Sequence, residues 1–316
     1  MKKLVCLFIA ACTFAACSDN EGNGTPSGRD VYVAGYAWDD NGRAAMLWKN
    51  GVVQKLSDRC EAFSVFVAGN DVYVAGETRW DENLPNAILW KNGVPQILSA
   101  GNAYSVFVSG NDVYVAGRAA GAVLWKNGTP QVLLSENGSA RSVFVSGNDV
   151  YVAGSDGSAV LWKNGTPQVL SENGSARSVF VSGNDVYVVG YYVYDDGGDD
   201  RGERAIVWKN GVPQILSERG LAESVFVLGN DVYVAGSVWV DDGRIAVLWK
   251  NGIEQRLSER NANSVFVSGN DVYVAGRGIE YGSGGSIPRV ATLWKNGVRQ
   301  NLSGNNEGIA HSVFVK

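Results

Sequence analysis

Few side chains in this chain could perform catalysis. There is one histidine, His311, and of the four cysteines only Cys60 lies after residue 17. A lone imidazole excludes a histidine-rich zinc site, and it is the one imidazole that could act as a base for Cys60. No phosphate-binding glycine loop or nucleophile elbow is present, and Gly282–Ser286 indicates a flexible loop. We therefore predict that the protein is not an enzyme and has neither catalytic residues nor a cofactor.

Abundant carboxylates leave two alternatives open. Glycoside cleavage needs a pair of Asp or Glu side chains at a set separation, so a carboxylate-based glycoside-active enzyme stays an alternative. Clustered carboxylates also bind Ca²⁺, although no loop here matches a defined spacing of calcium ligands. The sequence therefore predicts no metal site, with calcium as the alternative.

Aromatic residues stand beside carboxylates in several loops. The pairs are Trp38 before Asp39, Trp80 before Asp81, Tyr194 before Asp195, and Trp239 two residues before Asp241. Sugar-binding sites use this combination, because ring faces stack on C–H surfaces and carboxylates accept hydrogen bonds from hydroxyl groups. We predict that Trp38, Trp80, Asp81, Tyr194, Trp239 and Asp241 form a loop layer that binds a ligand. The alternative is a set of solvated hairpin tips with Asp-Asp-Gly turn chemistry.

The elements that must position these residues are copies of one repeat. The unit has the form S-V-F-V-x-G-N-D-V-Y-V-A-G, a variable gap, and A-V-L-W-K-N-G-x-x-Q-x-L-S. Its first Asp recurs seven times, at intervals of 36 to 46 residues, as Asp30, Asp71, Asp112, Asp149, Asp185, Asp231 and Asp271. A period in that range with several short strands per unit is typical of a β-propeller, because one unit cannot bury its faces alone. We predict one all-β domain over residues 29–316, a seven-bladed propeller of four-stranded blades.

Each unit supplies four strands, which we name a to d. Strand a is Ser-Val-Phe-Val, strand b is Asp-Val-Tyr-Val-Ala-Gly, strand c ends in Leu-Trp or its variant, and strand d is the Gln-x-Leu-Ser segment. The Trp of strand c recurs in all seven units and is expected to pack between blades. The Lys-Asn-Gly that follows it provides the Asn-Gly pair of a tight hairpin turn.

The two ends of the repeat region complement each other. The first unit begins at strand b, and residues 312–316 form a strand a without a following strand b. We expect the last strand to complete the first blade and close the ring, which removes exposed sheet edges.

Comparison of the copies separates two faces of the propeller. The a–b and c–d turns are nearly invariant, whereas the b–c and d–a connections vary in sequence between blades. We name the face that carries the invariant turns the uniform face and the opposite face the variable face. Two variable positions are flanked by invariant residues, one between the Ala and Ser of strand a and one after the glycine of strand b. The first set is Phe63, Tyr104, Arg141, Arg177, Glu223, Asn263 and His311; the second is Tyr36, Glu77, Arg118, Ser155, Tyr191, Ser237 and Arg277. We predict that both sets surround the mouth of the channel and bind a ligand there; the alternative is exposed positions that vary freely.

Residues 1–16 have the features of a secretory signal. Lys2 and Lys3 precede an apolar run, and Phe14-Ala15-Ala16-Cys17 resembles the bacterial lipobox, with Phe in place of the usual Leu. The resemblance implies that Cys17 is lipidated with fatty acids such as palmitate; the alternative is an ordinary signal that leaves Cys17 unmodified. Residues 17–28 are small and polar and are interpreted as a flexible tether. Acidic residues after Cys17 resemble a surface-export signal, which implies a lipid-anchored protein exposed at the cell outer membrane.

Net charge argues against nucleic acid as a partner. Loss of Lys2 and Lys3 with the signal would leave 25 of the 27 basic side chains against 32 acidic ones, a net charge of −7. Affinity for nucleic acid comes mainly from Lys and Arg on phosphates. We also expect a monomer whose membrane contact is confined to its lipid anchor.

The a-to-d strand order with a glycine ending strand b resembles the kelch-type propeller, in which strand a lines the channel. The near-identical units, for example Ser105–Gly117 and Ser142–Gly154, are similar to bacterial lipid-anchored propellers built from recently amplified blades. The resemblance covers residues 29–316 and implies a fold without a defined ligand. We expect a cell-surface binding module for a glycan or an extracellular protein. The alternative is a structural scaffold in an envelope protein complex.

Overall fold

The computed structural model describes residues 28–78, 85–133, 138–195, 201–241, 243–280 and 288–316. In those residues it contains 28 strands and no helix, and the strands form seven four-stranded antiparallel sheets. The predicted all-β fold and seven-bladed propeller are therefore confirmed.

The blades are numbered I to VII along the chain, and within a blade the strands follow the order a to d. Blade I consists of β28 (Gly308–Val315), β1 (Val31–Asp39), β2 (Gly42–Lys49) and β3 (Val52–Asp58). Blade II is β4 (Cys60–Ala68), β5 (Asp71–Thr78), β6 (Asn86–Lys91) and β7 (Val94–Ala100); blade III is β8 (Asn102–Ser109), β9 (Asp112–Arg118), β10 (Ala122–Lys126) and β11 (Thr129–Val132). Blade IV is β12 (Ser139–Ser146), β13 (Asp149–Ser155), β14 (Ala159–Lys163) and β15 (Thr166–Ser171); blade V is β16 (Gly174–Ser182), β17 (Asp185–Asp195), β18 (Arg201–Lys209) and β19 (Val212–Ser217). Blade VI is β20 (Gly220–Leu228), β21 (Asp231–Val240), β22 (Gly243–Lys250) and β23 (Ile253–Glu259); blade VII is β24 (Asn261–Ser268), β25 (Asp271–Ile279), β26 (Arg289–Lys295) and β27 (Val298–Asn301).

Blade I is assembled from both ends of the repeat region. Strand β28 pairs antiparallel with β1, with Val313 opposite Val33. Where other blades have an a–b turn, Asp30 and Lys316 exchange two backbone hydrogen bonds of 2.9 and 3.0 Å. The expected closure by the last strand is thus present in the structure.

The inner wall of the propeller is a continuous circle of the seven strands a, each of which contacts strand a of both neighbouring blades. The backbone N–H of the Val in strand a donates to the Ser Oγ of the preceding blade at 3.1–3.3 Å. Seven such bonds close the circle, since Val65 donates to Ser312 and Val313 donates to Ser264.

One phenylalanine from each strand a completes this wall. Successive rings lie 4.7–5.0 Å apart between centroids, and the series closes on itself. We name this set the phenylalanine ring; it consists of Phe66, Phe107, Phe144, Phe180, Phe226, Phe266 and Phe314. The tilted ring pairs fall within the geometry that favours aromatic contacts. The phenylalanine ring therefore lines the channel with apolar surface on the side of the a–b turns.

The core between blades is built around the seven tryptophans of strand c. Trp48, Trp90, Trp125, Trp162, Trp208, Trp249 and Trp294 are each at most 1% exposed. The Trp48 indole also donates a hydrogen bond of 3.0 Å to the Leu302 carbonyl of blade VII. Their predicted role in packing between blades is therefore confirmed.

On the uniform face the invariant Asp, Lys and Asn form the same cluster in every blade. The Asn of the Lys-Asn-Gly turn has a φ of 51–52°, and its side chain donates to the Asp at 2.8 Å. The Lys forms an ion pair with the same Asp at 2.7–3.0 Å. The invariant Asp thus ties the c–d turn to the start of strand b.

These contacts hold the pKa of each anchoring Asp below its ordinary value of 3.8. The largest cause is the lysine hydrogen bond in six blades and the Asn296 hydrogen bond for Asp271. A lowered pKa means that the folded state favours the charged carboxylate. The stabilisation is therefore present above about pH 4 and is lost as the pH falls through 3.8 and below.

We predict that the double variant Asp112→Asn/Asp149→Asn melts at a lower temperature than the parent near pH 7. The difference narrows between about pH 5 and about pH 2, because the parent loses the same two charges on protonation. Thermal melts followed by circular dichroism over this range provide the measurement. Asp156→Asn, at an exposed residue of the opposite face that forms no ion pair in the described part of the chain, is the control. A difference that stays constant from pH 7 to pH 2 would contradict the prediction.

Candidate functional site

The candidate site is built on a β-bulge that recurs in strand a of every blade. The register shifts between the invariant Ala and Ser of strand a, so the residue between them has no partner on strand b. This extra residue is Phe63, Tyr104, Arg141, Arg177, Glu223, Asn263 or His311 in successive blades from II round to I. We name these seven residues the collar. Bulges often re-aim a side chain beside a functional site.

The glycine that ends the Ala-Gly pair of strand b is required by this bulge. In blade III a Cβ on Gly117 would lie 2.7 Å from a ring carbon of Trp125 and inside van der Waals distance of the Asn102 carbonyl oxygen. Blades II, VI and VII have the same two neighbours around Gly76, Gly236 and Gly276. The invariant glycine and tryptophan are therefore part of the same local structure as the variable residue.

Aromatic side chains occupy one part of the collar. The Phe63 ring centroid lies 5.6 Å from that of Tyr104 and 5.3 Å from that of His311. Tyr36, from the second predicted set, lies 6.1 Å from His311. These contacts join blades I, II and III.

Charged and polar side chains occupy the rest of the collar. The Arg141 guanidinium lies over the Tyr104 ring at 4.2 Å, and that of Arg177 lies over Tyr191 at 5.2 Å. Arg177 Nε is 3.8 Å from Glu223 Oε2. Asn263 donates a hydrogen bond of 3.0 Å to the Ala310 carbonyl of blade I. The structure thus brings the first predicted set together around the channel, on the variable-face side of the phenylalanine ring.

Sequence reasoning missed a buried carboxylate beside the collar. The Glu61 side chain is 4% exposed, and its Oε1 lies 2.8 Å from both Arg43 Nη2 and His311 Nε2. Arg43 also stacks over the Tyr36 ring at 3.5 Å. This cluster fixes His311 and Tyr36 across the junction of blades I and II. Its sequence signal was the variable residue before the invariant Ala, where Glu61 replaces Asn, Ser, Leu or Ile.

The residues of the second predicted set differ in the structure in their burial and in their contacts with the collar. Tyr36 and Tyr191 contact the collar as described above, and Glu77 is buried and accepts a hydrogen bond from Asn102. Ser237 is fully buried and Ser155 is half-buried. Arg277 forms an ion pair with Glu307, with 3.4 Å between Nη2 and Oε1. Arg118 is exposed, and no hydrogen bond, ion pair or ring contact joins it to the collar within the residues described. The placement of Arg118 beside Arg141 and Arg177 is thus not supported by a contact.

The predicted loop layer is only partly described. Cys17, Trp80 and Asp81 lie outside the described residues, as do residues 196, 199, 200 and 242. Trp38 is 47% exposed and Asp241 is exposed. Tyr194 and Trp239 each have an arginine of their own blade over the ring, Arg204 at 4.3 Å and Arg244 at 4.5 Å. Trp38 therefore presents more open ring surface than the other two.

The side chains of the collar can take part in stacking, ion pairing and hydrogen bonding. Burial raises the pKa of the Cys60 thiol to about 11, so this thiol is not a nucleophile at neutral pH. In the described ranges no group of three or more His, Cys, Asp or Glu side chains is arranged to hold a metal ion. Nor do those ranges include a helix long and apolar enough to cross a membrane.

Comparison with known families finds a repeat of the propeller type. Residues 100–123, 137–160 and 259–279 match the LVIVD repeat model. Each matched segment contains strands a and b of one blade, namely β8–β9, β12–β13 and β24–β25. The chain thus carries segments similar to the LVIVD repeat, over less than a quarter of its length. No curated protein matches the sequence.

Solved structures with similar backbones are distant in sequence. The computationally designed Ika8 protein is 16% identical, with 87% of this chain and 82% of that chain covered and a TM-score of 0.43. The β-propeller domain of the Trilobed protease from Pyrococcus furiosus is 10% identical, with 80% and 84% covered and a TM-score of 0.47. TolB from Acinetobacter baumannii is 13% identical, with 75% and 65% covered and a TM-score of 0.41. No ligand or activity follows from similarities this distant.

We predict that Gly117→Ala lowers the free energy of unfolding by about 3 kcal/mol, because its Cβ would overlap the bulge backbone and the Trp125 ring. Gly110→Ala, in the a–b turn of the same blade, is the matched control. Gly110 has a φ of 58° and open space around it, so this change costs only about 1–2 kcal/mol of backbone strain. Urea unfolding of both variants is the measurement, and equal losses would contradict a steric role of Gly117.

Proposed function

We propose that the protein is a non-catalytic binding module that holds a glycan at the collar. The observation that carries this proposal is the contrast within strand a. The Ala, Ser, Val and Phe that flank the collar are repeated in seven blades, whereas the collar position carries six residue types. A closed ring thereby presents side chains of six kinds to one ligand.

The composition of the collar supports a saccharide as that ligand. Phe63 and Tyr104 are half-buried rings on adjacent blades, and aromatic faces stack on the C–H faces of sugars. Glu223 and Asn263 offer hydrogen-bond acceptors and donors for hydroxyl groups. The phenylalanine ring lies deeper in the channel, so the ligand approaches from the variable face. Trp38, exposed beside Asp39, would extend the contact outward.

The proposed location is the cell surface. In this proposal the protein is exported, Cys17 is lipidated, and residues 17–28 tether a kelch-like propeller to the outer membrane. The sequence features that support it are the apolar run before Cys17 and the acidic residues after it. An extracellular protein that carries a suitable glycan would be bound through the same collar.

A second candidate function is that of a scaffold in an envelope complex, and the outer rim of the propeller favours it. The first residue of strand d is an exposed Val or Ile in five blades, 68–74% exposed in Val52, Val94, Val212, Ile253 and Val298. Exposed apolar residues on edge strands are typical of surfaces that pair with another chain. In this case the rim, rather than the collar, would bind the partner.

We predict that the purified protein binds a subset of saccharides on a glycan array and that Phe63→Ala/Tyr104→Ala weakens this binding at least about tenfold, because two stacking surfaces are lost. The rim variant Val212→Thr/Ile253→Thr serves as the control and should bind as the parent does. Circular dichroism melts establish that each variant is folded.

The outcome separates the two candidates. Absence of saccharide binding, together with an envelope protein that is captured by the parent and lost with the rim variant, would contradict the collar proposal and support the scaffold.

A further inference from the structure

Two arginines on successive blades form the most strongly charged part of the collar. Arg141 of blade IV and Arg177 of blade V occupy the same bulge position. The chain as a whole carries a net charge of −5, yet Arg141 forms no ion pair within the residues that the structure describes. Among the described residues, the carboxylate that pairs with one of these arginines is that of Glu223, whose Oε2 lies 3.8 Å from Arg177 Nε. This pair of cations is therefore incompletely neutralised by the protein.

The environment of Arg141 disfavours the charge of its guanidinium group. Burial lowers the pKa of Arg141, and the positive charge of Arg177 lowers it further, against the opposing effects of Tyr104, Glu223 and Tyr191. The Nε atoms of both arginines are buried and have no hydrogen-bond partner. A buried donor without a partner and two like charges side by side both cost free energy. An anion placed between the two guanidinium groups would remove both costs.

The charge balance of the site favours a monoanion. Arg141, Arg177 and Glu223 together carry a net charge of about +1, which matches one carboxylate better than a doubly charged phosphate. The negative charge of Glu223 repels a dianion more strongly than a monoanion. The same carboxylate can accept a hydrogen bond from a hydroxyl group of the ligand. The guanidinium fork binds a carboxylate through two parallel hydrogen bonds.

Aromatic rings beside the two arginines indicate what kind of molecule would carry the carboxylate. Arg141 covers one face of the Tyr104 ring, and Phe63 lies beside Tyr104 on the preceding blade. A pyranose ring packed against Phe63 and the edge of Tyr104 would place an acidic substituent at the arginines.

We infer that the collar selects an acidic saccharide, a sugar that bears one carboxylate, held by Arg141 and Arg177 and packed against Tyr104 and Phe63. This inference rests on the glycan-binding function proposed above and narrows its ligand class.

The test compares one ligand with and without its charge. Isothermal titration calorimetry on the purified full chain uses galacturonate, its methyl ester and galactose as probes. The expected result is binding of galacturonate at least about tenfold tighter than that of either neutral probe, because the ester cannot form a charged pair with the arginines. Arg141→Gln and Arg177→Gln should each weaken binding of galacturonate at least about tenfold and leave binding of the neutral probes unchanged.

Arg256→Gln is the matched control, since Arg256 is exposed on strand d at the outer rim. It should bind all three probes as the parent does. The melting temperature of the ligand-free Arg141→Gln variant should equal or exceed that of the parent, because a half-buried, incompletely paired charge has been removed.

The failures are distinguishable. Equal binding of acid and ester, unaffected by Arg141→Gln and Arg177→Gln, would overturn the inference and leave the glycan-binding function in place. Tighter binding of galactose 6-phosphate than of galacturonate through the same arginines would overturn the choice of carboxylate. Absence of binding by every saccharide would overturn the inference and the proposed function together.

Discussion

The structure depends on closure of its inner circle. One blade is a four-stranded sheet with apolar residues on both faces, so it is stable only between two neighbours. The seven Ser Oγ to Val N–H hydrogen bonds and the phenylalanine ring join each strand a to the next without a break. Because β28 supplies the strand a of blade I, the last residues of the chain complete the circle on which every blade relies.

The same inner strands also allow blades of nearly identical sequence to present different side chains at the channel mouth. The bulge inserts one unpaired residue between an invariant Ala and an invariant Ser, and the strand b glycine leaves room for the displaced backbone. A substitution at that residue alters the channel mouth without changing the register of the sheet. Arg141 and Arg177 can therefore adjoin each other in a collar whose other members are aromatic, acidic or neutral.

The sequence predicts best what depends on local pattern. The Asn-Gly turns, the buried Trp of strand c and the unpaired ends of the repeat follow from spacing alone. The phenylalanine ring could not be predicted, because Phe66 and its equivalents occur in strands that look like ordinary core until the circle is closed. The buried position of Glu61 could not be predicted, because its partners Arg43 and His311 belong to blade I and are far from it in the sequence. The contacts of Arg118 could not be predicted either, because its position follows from where β9 ends; there Arg118 is exposed, and within the described residues no contact joins it to the collar.

Native-state hydrogen exchange of the strand a amides tests most directly whether the inner circle is one cooperative unit. The relevant amides are those of Val65 and Val313, which flank the junction made by β28, and those of Val143 and Val179 far from it. A closed circle predicts that all four exchange only through global unfolding and thus show the same protection. Faster exchange of Val65 and Val313 than of Val143 and Val179 would show that blade I opens locally, and it would contradict the dependence of the whole propeller on ring closure.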